Sequence, residues 1–281
     1  MVKKTTIILL FSLLTVNVSL SQKDSISILS WNVFLRPWVM NDSQVERADS
    51  IAEFLYNSNV DILVLQELFH WKSKKIISKK LKHKYPYKTK KGPVSFLGIS
   101  SGVMIYSKIP IIKEKRISFN FGIGTDKMAK KGAVRTTMKI NNKTIHTIGT
   151  HMQAGKGKKR NKIRRQQIRQ IKSLVKNLDT NDLIIYAGDF NLHYKSKTYD
   201  YVANVLESEV DYPQSKIKET ANFTDQDYYP STGPPSWIDF IFINKKKIKA
   251  IKTKILEPRA WFKKKRKRIS DHNPIISIIK L

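Results

Sequence analysis

Four apolar segments of this 281-residue chain each end in polar residues that can bind a metal ion or move a proton. ILSWN ends at Asn32, ILVLQE at Glu67, TIGTH at His151, and IIYAGDFN contains both Asp189 and Asn191. Amide and carboxylate oxygens suit a hard cation such as Mg²⁺, and an imidazole can accept a proton or stabilise charge. Asn and Asp also occur in ordinary turns after strands, but five such residues at four segment ends favour one shared site.

A second candidate for proton transfer is the pair Asp271-His272, within WFKKKRKRISDHNP (261–274). Histidine changes protonation near neutral pH, and a neighbouring carboxylate can orient its ring. The aromatic pair Trp261-Phe262 and six basic residues precede it. Aromatic side chains favour lipid interfaces and basic runs are attracted to anionic surfaces, so the segment indicates a membrane contact. Core packing of the aromatic pair and a solvated basic loop are the alternatives.

The formal net charge is +31, from 53 Lys and Arg against 22 Asp and Glu. Such a charge attracts nucleic acid, cell-surface phosphates or an anionic membrane. Because lysine is spread through nearly every segment, the charge alone does not select among these partners. A hydrophobic content of 41% argues against global disorder. The absence of cysteine excludes disulfides and thiolate metal sites.

The N-terminal 22 residues have the pattern of a secretory signal peptide. Lys3 and Lys4 precede the apolar run IILLFSLLTVNVSL (7–20), which is followed by Ser-Gln. That run is too short for a typical membrane anchor. We therefore expect residues 1–22 to be a cleaved signal peptide, residues 23–281 to form a single domain, and the protein to be secreted or periplasmic. An uncleaved anchor is the alternative.

Strand and helix patterns alternate over the rest of the chain. Strands are predicted at 26–34, 60–69, 101–107, 133–140, 144–152, 183–190, 237–243 and 274–281. Helices are predicted at 43–57, 70–82, 161–178 and about 196–208. The segment 209–236, rich in Pro, Asp, Tyr and Ser, is predicted to be a long surface loop. This interleaving favours one α/β domain with a two-layer sheet core, in which the polar strand ends meet at one rim.

The motifs SWN, QE, GTH, GDFN, WIDF and SDH occur here in the order seen in the endonuclease/exonuclease/phosphatase superfamily of metal-dependent phosphoesterases. Within it, the chain most resembles the bacterial sphingomyelinases C and the neutral sphingomyelinases. ERAD (46–49), GTHMQA (149–154), the spacing of Asp126 and Lys131, and the aromatic WFKK segment before SDH carry this narrower likeness. The likeness covers roughly residues 26–281. It implies a DNase I-like fold, a two-layer β-sandwich flanked by helices in four α/β/β/α layers.

The resemblance also implies which residues hold the metal ion. Glu67 and Asn32 are expected to bind Mg²⁺, for which Mn²⁺ or Co²⁺ can substitute. Asp189 and Asn191 are expected to lie between the metal and the phosphate, with Asp189 orienting the attacking water. His272 completes the set of candidate ligands. Trp71 stands where the bacterial family has an Asn ligand of a peripheral metal, so that second site is not expected.

The catalytic roles follow from the same resemblance. His272 is expected to be the general base, with its ring fixed by Asp271 or by Asp239 of WIDF. His151 and Lys131 are expected to stabilise charge on the phosphoryl oxygens, with Asp126 paired to Lys131. Trp261 and Phe262 are expected to contact the membrane.

The resulting expectation is a secreted Mg²⁺-dependent sphingomyelin phosphodiesterase that splits sphingomyelin into ceramide and phosphocholine, with a monomer as the default oligomeric state. Its substrate would be presented on a sphingolipid membrane, with tighter binding to bilayers that contain anionic lipid. A secreted nuclease of the same superfamily, acting on nucleic acid, is the alternative that the charge favours. A non-catalytic module that binds polyanions or membranes is the third reading.

Overall fold

The computed structural model describes residues 23–224, 233–244, 251–262 and 265–281. Residues 1–22, predicted to be a signal peptide, lie outside the described residues. The described parts contain two six-stranded sheets, a two-stranded ribbon and four α-helices. Within these parts, no helix is long and apolar enough to cross a membrane.

The first sheet is mixed and has the amino-terminal strand near its centre. Across the sheet, its strands are β11 (Ile251–Ile255), β14 (Ile275–Lys280), β1 (Ser25–Leu35), β2 (Ile62–Leu68), β4 (Met104–Ser107) and β3 (Tyr87–Lys88). Strand β1 runs parallel to β2 and antiparallel to β14. The last strand of the chain therefore lies beside the first.

The second sheet packs against the first. Across it, the strands are β5 (Lys113–Ser118), β6 (Gly132–Ile140), β7 (Lys143–His151), β8 (Leu183–Asp189), β10 (Asp239–Asn244) and β9 (Ser208–Glu209). Strands β7 and β8 are parallel, and β10 is antiparallel to β8. A separate ribbon pairs β12 (Arg259–Phe262) with β13 (Lys265–Arg268).

Alternation along the strands explains the layers. In β1, Ile26 and Ile28 join the core between the sheets, whereas Leu29 and Trp31 join a second core on the outer face of the first sheet. The outer core is covered by α1 (Gln44–Asn57) and α2 (Trp71–Leu81), while α3 (Lys158–Ser173) and α4 (Lys197–Leu206) cover the second sheet. Since side chains alternate with period two, each inner strand can serve two cores. The predicted α/β sandwich with flanking helices is confirmed.

The segment 209–236 differs from its prediction as a surface loop. Its described part includes Thr220 and Ala221, both fully buried. Ala221 forms isolated bridges with Ser236 and with His272. The described part after Glu209 is mostly irregular, as its composition predicts, but single backbone hydrogen bonds at Gln214, Thr220, Ala221 and Asn222 hold it against neighbouring segments. Part of this segment therefore supports the interior of the fold beside His272.

Candidate active site

The two sheets bring their polar strand ends together at one edge, here called the polar edge and defined by Asn32, Glu67, His151 and Asp189. The amide nitrogen of Asn32 donates to Glu67 Oε1 and to Asp189 Oδ2, each at 3.1 Å. In the second sheet, His151 pairs directly with Asp189. Parallel strands end on the same side of a sheet, so this topology gathers residues that are far apart in sequence.

Asn32 holds carboxylates together in this geometry. Its side-chain oxygen accepts the backbone N–H of Phe34 at 3.1 Å, while its nitrogen faces Glu67 and Asp189. The residue is fully buried, so these three bonds fix its side chain. Its role as a metal ligand stays a prediction, and its role in placing the two carboxylates follows from the contacts.

The backbone turns sharply where the strand-end side chains point into the site. Glu67 and Asn191 have φ values of 53° and 54°, in the left-handed region that few non-glycine residues occupy. The N–H of Asn191 donates to Asp189 Oδ1 at 2.9 Å, and its side-chain nitrogen donates to Met152 O at 3.2 Å. Such conformations persist where surrounding contacts fix them, and they cluster at functional sites.

His272 is held in the polar edge from several sides. Its Nδ1 lies 2.8 Å from Asp239 Oδ2, and its Nε2 lies 3.8 Å from Asp189 Oδ2. The indole N–H of Trp31 donates to the His272 carbonyl at 2.8 Å, and the His272 N–H donates to Ser270 Oγ at 3.2 Å. Because Asp239 takes the Nδ1 side of the ring, Nε2 is the atom that faces Asp189.

Asp271 is adjacent to His272 in sequence, but the hydrogen-bond partner of the His272 ring is Asp239. The carboxylate of Asp271 is buried and lies 3.5 Å from Ser270 Oγ, while its carbonyl accepts the N–H of Asn222. The sequence allowed either Asp271 or Asp239 to orient the ring of His272. The geometry places Asp239 at that ring, with Oδ2 at 2.8 Å from Nδ1.

Thr220 is a supporting residue that sequence reasoning missed. Its hydroxyl accepts the backbone N–H groups of Ile238 and Asp239, at 3.0 and 2.9 Å. Its carbonyl accepts the N–H of Asn273. Thr220 therefore ties the strand that carries Asp239 to the segment that carries His272. No motif marks it, since it lies in a segment whose composition indicates a loop.

Arg47 is a second support, within the ERAD motif. Its fully buried guanidinium donates to the carbonyls of Asp42, Val33 and Ile269 at 3.1, 3.2 and 2.9 Å, and also to Phe34 O. It joins the end of β1 to the residue just before Ser270. These contacts give the arginine of ERAD a structural role at this position.

Lys131 and His151 form the cationic side of the polar edge. Lys131 Nζ lies 2.7 Å from Asp126 Oδ1 and 2.9 Å from His151 Nε2, and it donates to Met152 O at 3.1 Å. His151 Nε2 lies 3.5 Å from Asp189 Oδ2. Since an ammonium only donates, His151 Nε2 accepts from Lys131, and the ring proton lies on Nδ1. Lys131 and its two neighbours thus form one connected group.

Asp126 anchors that group to the loop after β7. Its Oδ2 accepts the N–H of Ala154 at 2.6 Å and the side-chain N–H of Gln153 at 2.8 Å, while Oδ1 faces Lys131. All three contacts place the 3₁₀ turn at Gly124–Lys127 against the end of β7. The predicted Asp126–Lys131 pair is therefore formed in this structure.

The pKa values of the buried groups diverge. Burial raises the pKa of Asp189 to about 7, and the neighbouring Asp239 adds to that effect. Burial raises the pKa of Asp271 to about 6. Burial lowers the pKa of His151 well below its usual value, with Lys131 acting in the same direction. Burial opposes the charged form of His272, but the carboxylates of Asp239 and Asp271 raise its pKa well above the ordinary value.

The arrangement of these donors fits a hard divalent cation. Asp189, Asp239 and His272 each offer a ligand atom, and these atoms lie within 4.8 Å of one another. Asp239 Oδ1 is buried without a hydrogen-bond partner among the described residues. Buried carboxylates that crowd one another are unfavourable unless a cation compensates them. The carboxylates of Asp189 and Asp239, together with that of Glu67, which the Asn32 amide joins to Asp189, supply the oxygen ligands that Mg²⁺ prefers.

The aromatic pair before the basic run divides between two environments. Trp261 is 73% exposed near the tip of the β12–β13 ribbon. Phe262 is half-buried and packs against the outer core of the first sheet. Of the six basic residues between this pair and Ile269, Lys263 and Lys264 lie outside the described residues. Exposure is thus established for Trp261, while Phe262 partly serves packing.

Curated relatives resemble most of this chain. It is 31% identical over 261 residues to the sphingomyelinase C of Leptospira interrogans, covering 81% of this chain but only 45% of that longer protein. It is 30% identical over 273 residues to the phospholipase C of Staphylococcus aureus, covering 86% of this chain and 82% of the relative. The chain therefore spans less than half of one relative and most of the other.

A solved structure with bound metal is also similar. The crystal structure of a Staphylococcus aureus beta toxin mutant with bound magnesium ions aligns with a TM-score of 0.79 and 26% identity. The alignment covers 92% of this chain and 100% of that one. The sequence profile described as the Endonuclease/Exonuclease/phosphatase family matches residues 29–272, which include the residues of the polar edge. The chain belongs to the endonuclease/exonuclease/phosphatase family of metal-dependent phosphoesterases.

Proposed function

We propose that this protein is a Mg²⁺-dependent sphingomyelin phosphodiesterase that releases ceramide and phosphocholine. The observation that carries the proposal is the similarity to the Staphylococcus aureus phospholipase C over 82% of that relative's length. The polar edge supports it, because general base, cation ligands and charge-stabilising groups lie within one site. The substrate is presented on a membrane surface.

His272 acts as the general base in this proposal. The hydrogen bond from Nδ1 to Asp239 Oδ2 keeps a proton on Nδ1, so in the neutral ring Nε2 offers the lone pair that accepts a proton from water. The surrounding carboxylates raise the pKa of His272, and a cation bound to them would oppose that effect and favour the neutral ring. Asp189, 3.8 Å from that nitrogen, accepts a hydrogen bond from the same water and orients it. The water oxygen then bonds to phosphorus as His272 Nε2 takes its proton, the phosphorus–oxygen bond to ceramide breaks, and the released ceramide oxygen takes up a proton from His272 or solvent.

Oxygen-bearing side chains of the polar edge would hold the ion. We assign Glu67, Asp189 and Asn191 to hold Mg²⁺, with Asn32 positioning the carboxylates and His272 at the margin of the site. The bound ion would neutralise phosphoryl oxygens and make the attack of water on the anionic diester easier. Mn²⁺ or Co²⁺ would fit the same oxygen-rich ligands.

Lys131 and His151 stabilise charge on the phosphoryl oxygens. Both lie beside Asp189, and Lys131 is kept at this position by Asp126 and the Met152 carbonyl. A fixed positive group in a buried site needs little reorganisation during the reaction, and one such group typically contributes about 10²–10³ in rate. The Asp126–Lys131 pair therefore serves catalysis by positioning.

A nuclease activity is the second candidate, favoured by the net charge of +31. A basic protein of this family could hold a nucleic-acid backbone, which has the same phosphodiester linkage. The exposed aromatic ring of Trp261 beside the polar edge suits a lipid interface better than a polyanion.

We also propose that the protein is exported and acts as a monomer. The proposal of export rests on the charged and apolar pattern of residues 1–22. Residues 23–281 form the phosphodiesterase domain. Mass spectrometry of the protein secreted by its host would locate the mature N-terminus, and a protein that retains residues 1–22 would contradict the cleavage.

One assay separates the candidate functions. Purified protein with Mg²⁺ is offered sphingomyelin vesicles and, separately, plasmid DNA, and phosphocholine release and DNA nicking are measured. We expect phosphocholine release that EDTA abolishes and that His272→Ala abolishes with the fold intact. Nicking without phosphocholine release would favour the nuclease, and binding without either product would favour a non-catalytic module.

A further inference from the structure

Large apolar side chains are exposed mainly on loops at the polar edge. Trp38 is 74% exposed, Phe96 is 88% exposed and Trp71 is 61% exposed, in addition to Trp261 on the ribbon. Val39, Met40, Val94, Leu97, Phe121 and Met128 are exposed as well. We call the segments that carry these residues the aromatic rim: residues 36–43, the start of α2 at 71–72, residues 93–99, residues 119–131 and the β12–β13 ribbon.

The topology explains why these loops share one edge. Residues 36–43 follow the end of β1, and Trp71 follows the end of β2 after two residues. Residues 93–99 precede β4, whose first residue Met104 pairs with Leu65 near the end of β2. The loop 119–131 joins β5 to the first residue of β6, which lies next to the end of β7. Each loop therefore leaves the sandwich where the site residues lie.

The rim also joins the two sheets. The N–H of Lys130 donates to the carbonyl of Ile99 at 3.3 Å, which connects the turn that carries Phe96 to the loop that carries Met128. That second loop also contains Asp126 and Lys131. The aromatic rim thus continues from the first sheet to the cationic side of the site.

Positive charge accompanies the aromatic side chains. Lys72 Nζ lies 5.4 Å from the centre of the Trp71 ring. Lys74 is on the same helix, and burial, followed by the neighbouring cations Lys91 and Arg116, lowers its pKa to about 8. Several basic side chains therefore lie near the start of this helix.

We propose that the aromatic rim, and the ribbon as one part of it, is the surface that this protein lays on an anionic lipid bilayer. Exposed Trp and Phe at loop tips next to lysines have the composition of a membrane-interface contact. The proposal rests on the proposed function, since a membrane substrate must reach the same edge. It adds that the loops before α1 and before β4 contact lipid together with the ribbon.

A second copy of this chain suits the rim less well than a bilayer. The net charge of +31 opposes close approach of two copies, whereas an anionic leaflet attracts each lysine near it by about 1 kcal/mol. The rim also consists of separate loop tips, and a fluid interface can accommodate side chains that project from several tips.

The test is a vesicle-binding measurement with the double variant Trp38→Ala/Phe96→Ala. Both side chains are highly exposed, so the substitutions remove little core packing. The matched control is Tyr87→Ala/Ile112→Ala, because Tyr87 and Ile112 are also exposed but lie at the opposite end of β4 and β6. Phosphatidylcholine vesicles with and without phosphatidylserine are sedimented with each protein in EDTA, so that hydrolysis does not alter the lipid.

We expect the rim variant to bind the phosphatidylserine-containing vesicles about tenfold or more weakly than the wild type, while the control binds like the wild type. Equal binding of the rim variant and the wild type would overturn the proposal. So would a lipid-independent dimer of the wild type, seen by sedimentation velocity, that the rim variant loses. Phosphocholine release is measured separately. Rim-dependent binding without phosphocholine release would contradict the proposed function but would still support the rim as a membrane-binding surface.

Discussion

Asp239 Oδ2 lies 2.8 Å from His272 Nδ1, although Asp271 is the carboxylate next to His272 in sequence. Thr220 fixes the backbone N–H of Asp239, and the carbonyl of Thr220 accepts the N–H of Asn273. The ring and the carboxylate that orients it are therefore tied to the same buried segment. The sequence motifs do not distinguish Asp239 from Asp271 as the residue that orients the His272 ring, whereas this contact does.

Asp239→Asn is predicted to impair catalysis far more than Asp271→Asn. An amide at position 239 would favour the wrong ring tautomer, and such a change costs about 10³–10⁴ in kcat in comparable His–Asp pairs. Asp271→Asn should cost about tenfold or less, since Asp271 acts on His272 only through the local field. Steady-state phosphocholine release, with circular dichroism to check folding, measures both. A larger loss in Asp271→Asn would reverse the assignment.

Lys131→Met is predicted to lower kcat by about 10²–10³, because the fixed ammonium beside His151 is removed. The methionine retains the length of the side chain, so the buried space stays filled. Lys127→Met serves as control, since Lys127 lies in the same loop and is exposed. Rates on sphingomyelin vesicles are compared at saturating lipid. Equal rates for both variants would exclude Lys131 from the reaction.

Mg²⁺ is predicted to raise the melting temperature of the wild-type protein, because an ion that binds only the folded state stabilises it by mass action. The raised pKa of Asp189, about 7 in the absence of an ion, indicates that the buried carboxylates gain from a nearby cation. Glu67→Gln should weaken this effect. Glu53→Gln is the control, because Glu53 is an exposed glutamate on α1 paired with Lys80.

The outcome of the magnesium experiment is read from thermal unfolding with Mg²⁺ and with EDTA. A shift that is equal in the wild type and in Glu67→Gln would remove Glu67 from the ion site. If Mg²⁺ did not raise the melting temperature of the wild type at concentrations that support phosphocholine release, the ion would not stabilise the folded state, and the prediction would be wrong.

The principal strands could be predicted because the apolar run that forms each of them is local in sequence. The polar edge could be predicted because several of these runs end in a polar residue, as in β2 and β8. The sequence does not predict the short strands β3 and β9, the edge strands β5 and β11, or the ribbon strands β12 and β13. In β5, Lys113–Ser118 is mostly charged and has no apolar run. Pairing with β6 specifies β5, and that information is not present in its own sequence.

The supporting residues could not be predicted for a related reason. Thr220 acts through two backbone N–H groups, and any buried Thr or Ser has the same appearance in a sequence. Asp239 and Asp271 both stand near plausible strand ends, so motif reasoning left the partner of His272 open. Three-dimensional register decided it, because β10 pairs Asp239 directly with Asp189.

Arg268→Met is predicted to destabilise the site segment as well as the ribbon. The buried Arg268 donates to Asn273 Oδ1 at 2.7 Å and pairs with Glu257, so it joins β13 to the residue after His272. We expect a loss of about 1–3 kcal/mol in the free energy of unfolding and a lower kcat. Arg266→Met is the matched control, since Arg266 is an exposed arginine on the same strand.

Chemical denaturation and vesicle hydrolysis test the Arg268 prediction together. A variant that loses stability but keeps the wild-type kcat would show that Arg268 supports the ribbon without positioning His272.

His146 is predicted to make folding less favourable as the pH falls. The ring lies between Thr137 Oγ1 and Asp182 Oδ2, and burial lowers its pKa although Asp182 acts in the opposite direction. In the unfolded chain the histidine has a pKa of about 6.5, so it binds more protons than in the folded protein just below that pH. Stability that is fully present above about pH 6.5 is therefore lost as the pH falls toward the folded-state pKa.

His146→Gln should flatten this part of the pH dependence of the unfolding free energy. His83→Gln, at an exposed position, is the control, and an unchanged slope in His146→Gln would contradict the sign.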